Sequence, residues 1–152
     1  VDPYYLSYRS KKIGYNPKIL LAGRNINNNM HRYFLSDIKS KIKINFKHQT
    51  NIKILIMGFA YKEDVSDFRN TQVISIYKGL KKIYKNTHVF DPLVDKNDVR
   101  KKYKLKIIDK PKRNFYDFVL ILVNHNIFYK KNNFNYKNYG KKNSVHYFLK
   151  KK

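Results

Sequence analysis

Apolar residues along this chain follow two different rhythms, and the change between them divides it. Ile26, Met30, Phe34, Ile38 and Ile42 recur every four residues, with Ile19 and Leu20 ahead of them. That spacing predicts one apolar stripe on a helix over about 17–46, near 45 Å long at about 1.5 Å per residue. Pro17 suits the first turn of such a helix. A small domain does not cover a helix of this length, so the stripe calls for a second domain or a second copy of the chain. Upstream, 3–12 reads as a short helix closed at Gly14, a natural left-handed cap. Asp2-Pro3 reads as a loop entering that helix, because proline fixes its own backbone and pushes the residue before it to an extended conformation.

From residue 51 the rhythm shortens. "NIKILIMGF" is a continuous apolar run closed by Gly58, the pattern of a parallel strand buried on both faces. "TQVISIYKGLKKIY" follows with Val73, Ile76, Tyr77, Leu80 and Ile83 at helical spacing. "THVFDP" predicts a short strand stopped by Asp91-Pro92, and "DKNDVRKKY" a polar helix. "LKIID" and "YDFVLILVN" read as two more strands. Strands alternating with helices predict an α/β fold: a long central helix followed by a doubly wound, mostly parallel, Rossmann-like sheet. The division expected is 1–48 as a central helical dimerisation segment and 51–152 as a Rossmann-like domain. After Asn126 the text decays into "YKKNNFNYKNYGKKN", low in complexity, with "SVHYF" as a last edge strand.

Composition narrows the classes. A chain of 152 residues with 42% hydrophobic content suits one globular domain. No apolar run approaches the length of a membrane span and no signal peptide is visible, so a cytoplasmic protein is expected. There is no cysteine, and the five histidines (His31, His48, His88, His125, His146) are scattered, so no metal site is expected. The net charge of +24 raises a nucleic-acid-binding module as the rival class. Yet Lys, Asn, Ile, Tyr and Phe fill more than half the chain, while alanine stands only at Ala22 and Ala60. Those favoured residues have AT-rich codons, and the lysines are spread over the chain without gathering on one helix face. Codon bias accounts for the charge without a nucleic-acid partner.

Ligands of open α/β sheets sit beyond the carboxyl ends of the strands. The loop after the first strand is "FAYKEDVSDFRNT", which brings Lys62 and Arg69 toward that crevice, beside the start of the next helix near Thr71. Two cations at a helix N-terminus are the ingredients of an anion site.

"GFAYKEDVSDFRNT" and "VFDP", together with "VDPYYL" and "GYNPKILLAGRNINNNM", resemble the UDP-glucose/GDP-mannose dehydrogenase family, in its branch acting on UDP-N-acetylhexosamines. The motifs stand in the family's order and spacing from Val1 to about Asn124. The resemblance implies an enzyme with an N-terminal NAD-binding domain, a long central helix that forms the dimer, and a C-terminal Rossmann-like domain that binds the UDP moiety. Such enzymes oxidise the C6 alcohol of a UDP-sugar to a carboxylate with NAD, through a cysteine thioester. On this resemblance the chain starts just past the catalytic cysteine, as the C-terminal portion of a longer enzyme with an N-terminal NAD-binding half as its partner.

By the same resemblance, Asp2 matches an acid that helps activate the water hydrolysing the thioester; its plainer reading is an N-cap. Lys62 matches a substrate-contacting lysine, and Tyr61 stands where the family usually has Phe. Arg69 matches an arginine that reaches the NAD bound by the other domain, against a structural salt bridge to Asp64 or Asp67. The cysteine, the glycine-rich dinucleotide motif and the upstream Lys/Asn pair are absent, and the closing segment is reduced to "SVHYFLKKK". The chain is therefore expected not to bind NAD or turn over substrate alone. A fragment, a split-gene product and a decaying structural remnant all remain open at this point.

Overall fold

The structure is a computed structural model that describes residues 2–47, 49, 51–130 and 134–149, without the side chain of Asp2. Two helices come first, α1 (Asp2–Lys12) and α2 (Lys18–Phe46). Then follow β1 (Ile54–Met57), α3 (Val73–Lys81), β2 (Thr87–Phe90), α4 (Lys96–Tyr103), β3 (Tyr116–Ile121) and β4 (Gly140–Phe148). The described strands form one sheet in the order β2-β1-β3-β4, and every pairing is parallel. Register is simple at the centre: Ile56 of β1 lies between Val89 of β2 and Leu120 of β3. The expected α/β architecture is the one found.

The strands are apolar on both faces because both faces are covered. Ile54 and Ile56 point into a cluster with Val73, Ile76 and Leu80 of α3, Val99 of α4, and Ile38 and Ile42 of α2. Leu55 and Met57 alternate to the opposite face and meet Phe90, Val119, Ile121, Phe128 and Tyr139. This second layer is built from the stretch that reads as low in complexity. Two single-turn 3-10 helices, Asn126–Phe128 and Tyr136–Asn138, carry its large rings. Phe90 stacks on Phe134 at 5.7 Å and meets Tyr139 edge-on at 6.2 Å. A few aromatic side chains bury enough area to close a sheet face without any helical periodicity.

Two expectations need correction. "LKIID" is not a strand: Leu105 and Ile107 are buried, but the segment makes a backbone bond to the sheet through Ile108 N–H and the Val89 carbonyl. Lys104, in a left-handed conformation (φ 54), and Pro111, which lacks an N–H, bracket it too closely for a ladder to grow. The stripe on α2 is also not uniform. Ile38 and Ile42 are fully buried in the chain's own core, and Phe34 packs against it, whereas Ile26 is 66% exposed and Met30 42%. Leu35 sits directly over Gly79 of α3, and Tyr147 O–H donates to Asp37 Oδ2 at 2.8 Å. The second half of α2 is thus bound to the sheet, and the first half projects beyond it. The edge strand β4 starts earlier than "SVHYF" and pairs with β3. No described helix is long and apolar enough to cross a membrane.

Candidate functional site

The chain steps from β1 outward to β2, then crosses back over β1 to lay down β3 on its other side. The two directions of winding part at the carboxyl ends of β1 and β3, where open α/β sheets form a crevice. Gly58 ends β1 there with φ +86, and a Cβ on it would lie 2.6 Å from both Cβ and the carbonyl oxygen of Val123. Backbone meets backbone at the floor of the crevice, and glycine is the residue that permits it.

Just above this floor lies a buried polar network. Asp91 follows β2 and His125 follows β3, and both are fully buried. Asp91 Oδ2 accepts the N–H of Phe59 at 2.6 Å and of Ala60 at 3.0 Å, while Oδ1 accepts Leu93 N–H at 2.8 Å. His125 Nδ1 accepts Asp64 N–H at 2.9 Å, so the ring proton belongs on Nε2, which donates to Asp91 Oδ2 at 3.0 Å. Asp64 in turn accepts the backbone N–H of Asn126 at 2.8 Å and a further bond from its side-chain amide. Burial pushes the Asp91 carboxyl up, but the bonds from His125, Phe59 and Leu93 outweigh it and hold it below the usual carboxylate range. In the sequence His125 is one of five scattered histidines and Asp91 a strand stop. The available signal was position: Asp91 closes the apolar run of β2, and His125 follows Asn124, which closes the run of β3.

The loop from Phe59 to Thr71 leaves this network and borders an open cleft of about 1100 Å³. Its other wall is Gly23, Arg24, Asn27 and Met30 of α2, with Pro3 and Tyr4 of α1 at one end. Tyr61 lines the cleft and is half-exposed; Lys62 Nζ lies 5.8 Å from the centre of its ring. Thr71 and Gln72, at the start of α3, complete the rim. Tyr61 therefore stands at the cleft, and Lys62, next to it in the loop, is placed by its ring and not in the cleft wall. Arg69 does not join them. Its guanidinium makes a bidentate bond to Asp67 (2.9 and 3.0 Å), which holds the Asp67 carboxyl down to about 2. Of the two ion-pair partners expected for Arg69, Asp67 is the one engaged, while Asp64 belongs to the histidine network. Asp2 opens α1 next to Pro3, and its side chain lies outside the described residues. Among the described residues no three His, Cys, Asp or Glu side chains cluster as a metal site.

Residues 55–147 match the UDP binding domain of the UDP-glucose/GDP-mannose dehydrogenase family. A UDP-N-acetyl-D-glucosamine 6-dehydrogenase from Salmonella typhi is 38% identical over 153 residues, covering 99% of this chain and 35% of that protein. One from Pseudomonas aeruginosa is 35% identical, covering 99% of this chain and 36% of its own length. Among solved structures, a UDP-D-ManNAc dehydrogenase from Pyrococcus horikoshii superposes with a TM-score of 0.70, at 17% identity, over 97% of this chain and 36% of that one. At that identity the likeness speaks for the fold. The chain spans about a third of the length of these relatives.

Proposed function

The chain belongs to the UDP-glucose/GDP-mannose dehydrogenase family, over its UDP binding domain, and from that we propose that it is the UDP-sugar-binding, C-terminal part of a UDP-N-acetylhexosamine 6-dehydrogenase. The cleft bordered by Tyr61 and the start of α3 is the observation that carries this reading. It lies at the switch point of the sheet, its volume suits a nucleotide-sugar, and its rim offers amide and hydroxyl groups beside Arg24. The reaction of the whole enzyme is the oxidation of the sugar C6 alcohol to a carboxylate with NAD as hydride acceptor.

NAD does not fit this chain's own sheet. A dinucleotide pyrophosphate needs open backbone N–H groups just past the first strand. Here the N–H groups of Phe59 and Ala60 already serve the Asp91 carboxylate, and Val123 closes over Gly58. The cofactor belongs with the N-terminal half of the longer enzyme. Arg69 is proposed to reach it, since its pair with Asp67 is at the surface and an exposed ion pair exchanges partners readily. Asp2 is proposed to assist the water that releases the acyl product, and Tyr61 and Lys62 to contact the UDP-sugar.

Titrating the 152-residue chain with UDP-N-acetylglucosamine tests this directly. Binding should perturb the amides of 60–72, and no NADH should form when NAD is added. Lys62→Ala should weaken binding about ten- to a hundredfold, the worth of one charge-assisted hydrogen bond. Equal affinity for wild type and Lys62→Ala would remove Lys62 from the site; no binding at all would remove the reading itself.

The exposed first half of α2 is proposed as a homodimer contact. Ile26 lies along it unburied and outside the cleft lining, and a large side chain moved out of water contributes about 1.5–3 kcal/mol. Ile26→Asp should shift sedimentation from dimer to monomer at micromolar concentration while the far-ultraviolet circular dichroism of the folded chain is kept. Because Phe34 packs on the chain's own core, Phe34→Asp would confuse folding with association.

A further inference from the structure

The first half of the loop, residues 59–64 with Tyr61 and Lys62, is tied at both of its ends to one pair of buried side chains. At its start, the N–H groups of Phe59 and Ala60 are bound to Asp91. At its far end, Asp64 N–H is bound to His125. The two tethers are joined by the bond from His125 Nε2 to Asp91. Between them lie Tyr61, Lys62 and Glu63, held further by Tyr61 N–H on the Asp67 carbonyl at 2.8 Å.

Asp64 also stands at φ +56, a left-handed conformation that residues with a Cβ adopt at a cost. Its bonds to His125 and to Asn126 compensate that cost. A backbone kept in a sparsely populated conformation by an enclosed network, next to an open cleft, points to preorganisation. The mutual ring placement agrees: His125 is wedged edge-on against Phe128 at 5.2 Å, which fixes the imidazole plane. Of the bonding groups around it, Asp91 is enclosed with the ring while Asp64 is partly exposed toward the loop.

We propose that His125, acting with Asp91, is a positioning residue that presets Tyr61 at the cleft, and Lys62 beside it, before a nucleotide-sugar arrives. The proposal rests on the reading that this cleft takes a UDP-sugar. His125 touches no ligand in it; the ring acts as a strut, accepting from the loop on one nitrogen and donating to the strand-end carboxylate on the other. Without the strut, ordering Tyr61 and Lys62 falls to the ligand, and affinity drops accordingly.

The test uses His125→Asn and His125→Gln in the full chain, since the amides offer a polar group near the position of Nδ1 or of Nε2 respectively. In each variant the heteronuclear NOEs of Tyr61, Lys62 and Glu63 should fall, while those of Ile54–Met57 stay at the rigid-backbone level. Nitrogen shifts of wild-type His125 should report a proton on Nε2. UDP-N-acetylglucosamine should bind His125→Asn about tenfold more weakly. In a double-mutant cycle that loss should largely vanish on a Lys62→Ala background, because His125 works through the loop. Additive losses would overturn the proposal, as would loop residues as ordered in both variants as in wild type. If wild type itself fails to bind the nucleotide-sugar, the functional reading falls, while loop order still decides the role of His125.

Discussion

Gly58→Ala is expected to destabilise the chain by about 2–6 kcal/mol, a large part of the stability of a domain this size. Two costs combine. The backbone at φ +86 is one that a residue with a Cβ occupies only under strain, about 1–3 kcal/mol. The added methyl would also stand 2.6 Å from Val123 Cβ and its carbonyl oxygen and 2.8 Å from its nitrogen. Two of those atoms are backbone just past the end of β3, so that segment has to move, at about 1–3 kcal/mol for an overpacked site. Urea denaturation followed by circular dichroism measures the sum. A midpoint equal to wild type would mean that the ends of β1 and β3 are not in contact.

The second large effect is expected at Asp91. Asp91→Ala leaves the N–H groups of Phe59, Ala60 and Leu93 and the Nε2–H of His125 buried with no acceptor. Breaking a buried hydrogen-bonded charge in this way costs about 3–5 kcal/mol. Asp91→Asn keeps one acceptor oxygen and should lose less. The pH dependence separates charge from shape. The folded-state pKa of Asp91 is depressed, so its contribution is complete above the unfolded carboxylate range, about 4, and fades as pH falls through the folded value. The advantage of wild type over Asp91→Asn should therefore be full at pH 7 and shrink progressively below pH about 4. An advantage independent of pH would show that the ionised form is not what the four donors hold.

In the sequence both residues were legible as strand stops, but not the contacts they make. β1, α3, β2 and β3 were legible because each announces itself locally: an unbroken apolar run, or apolar residues at helical spacing, between glycine and proline stops. The loop with Tyr61 and Lys62 was legible for the same reason, since it follows a strand that ends at a glycine. "LKIID" carried the same apolar signal and is not a strand, because pairing depends on a partner edge that its flanking residues keep out of reach. The aromatic layer under the sheet was illegible for the opposite reason. Phe128, Phe134, Tyr136 and Tyr139 have no period, and their burial follows from where the 3-10 turns place them against β1 and β3.

The sequence by itself determined the class of the fold, the order of its elements and the loop that borders the cleft, since these depend on residues close together in the chain. Tertiary structure alone decided which half of the α2 stripe is buried, because that depends on how far the sheet reaches along the helix. It also decided that Arg69 pairs with Asp67 and that His125 bridges Asp64 and Asp91. His125 lies 34 positions from Asp91 and 61 from Asp64. No local pattern encodes such a meeting; it exists once three parallel strands end side by side and water is excluded between their ends.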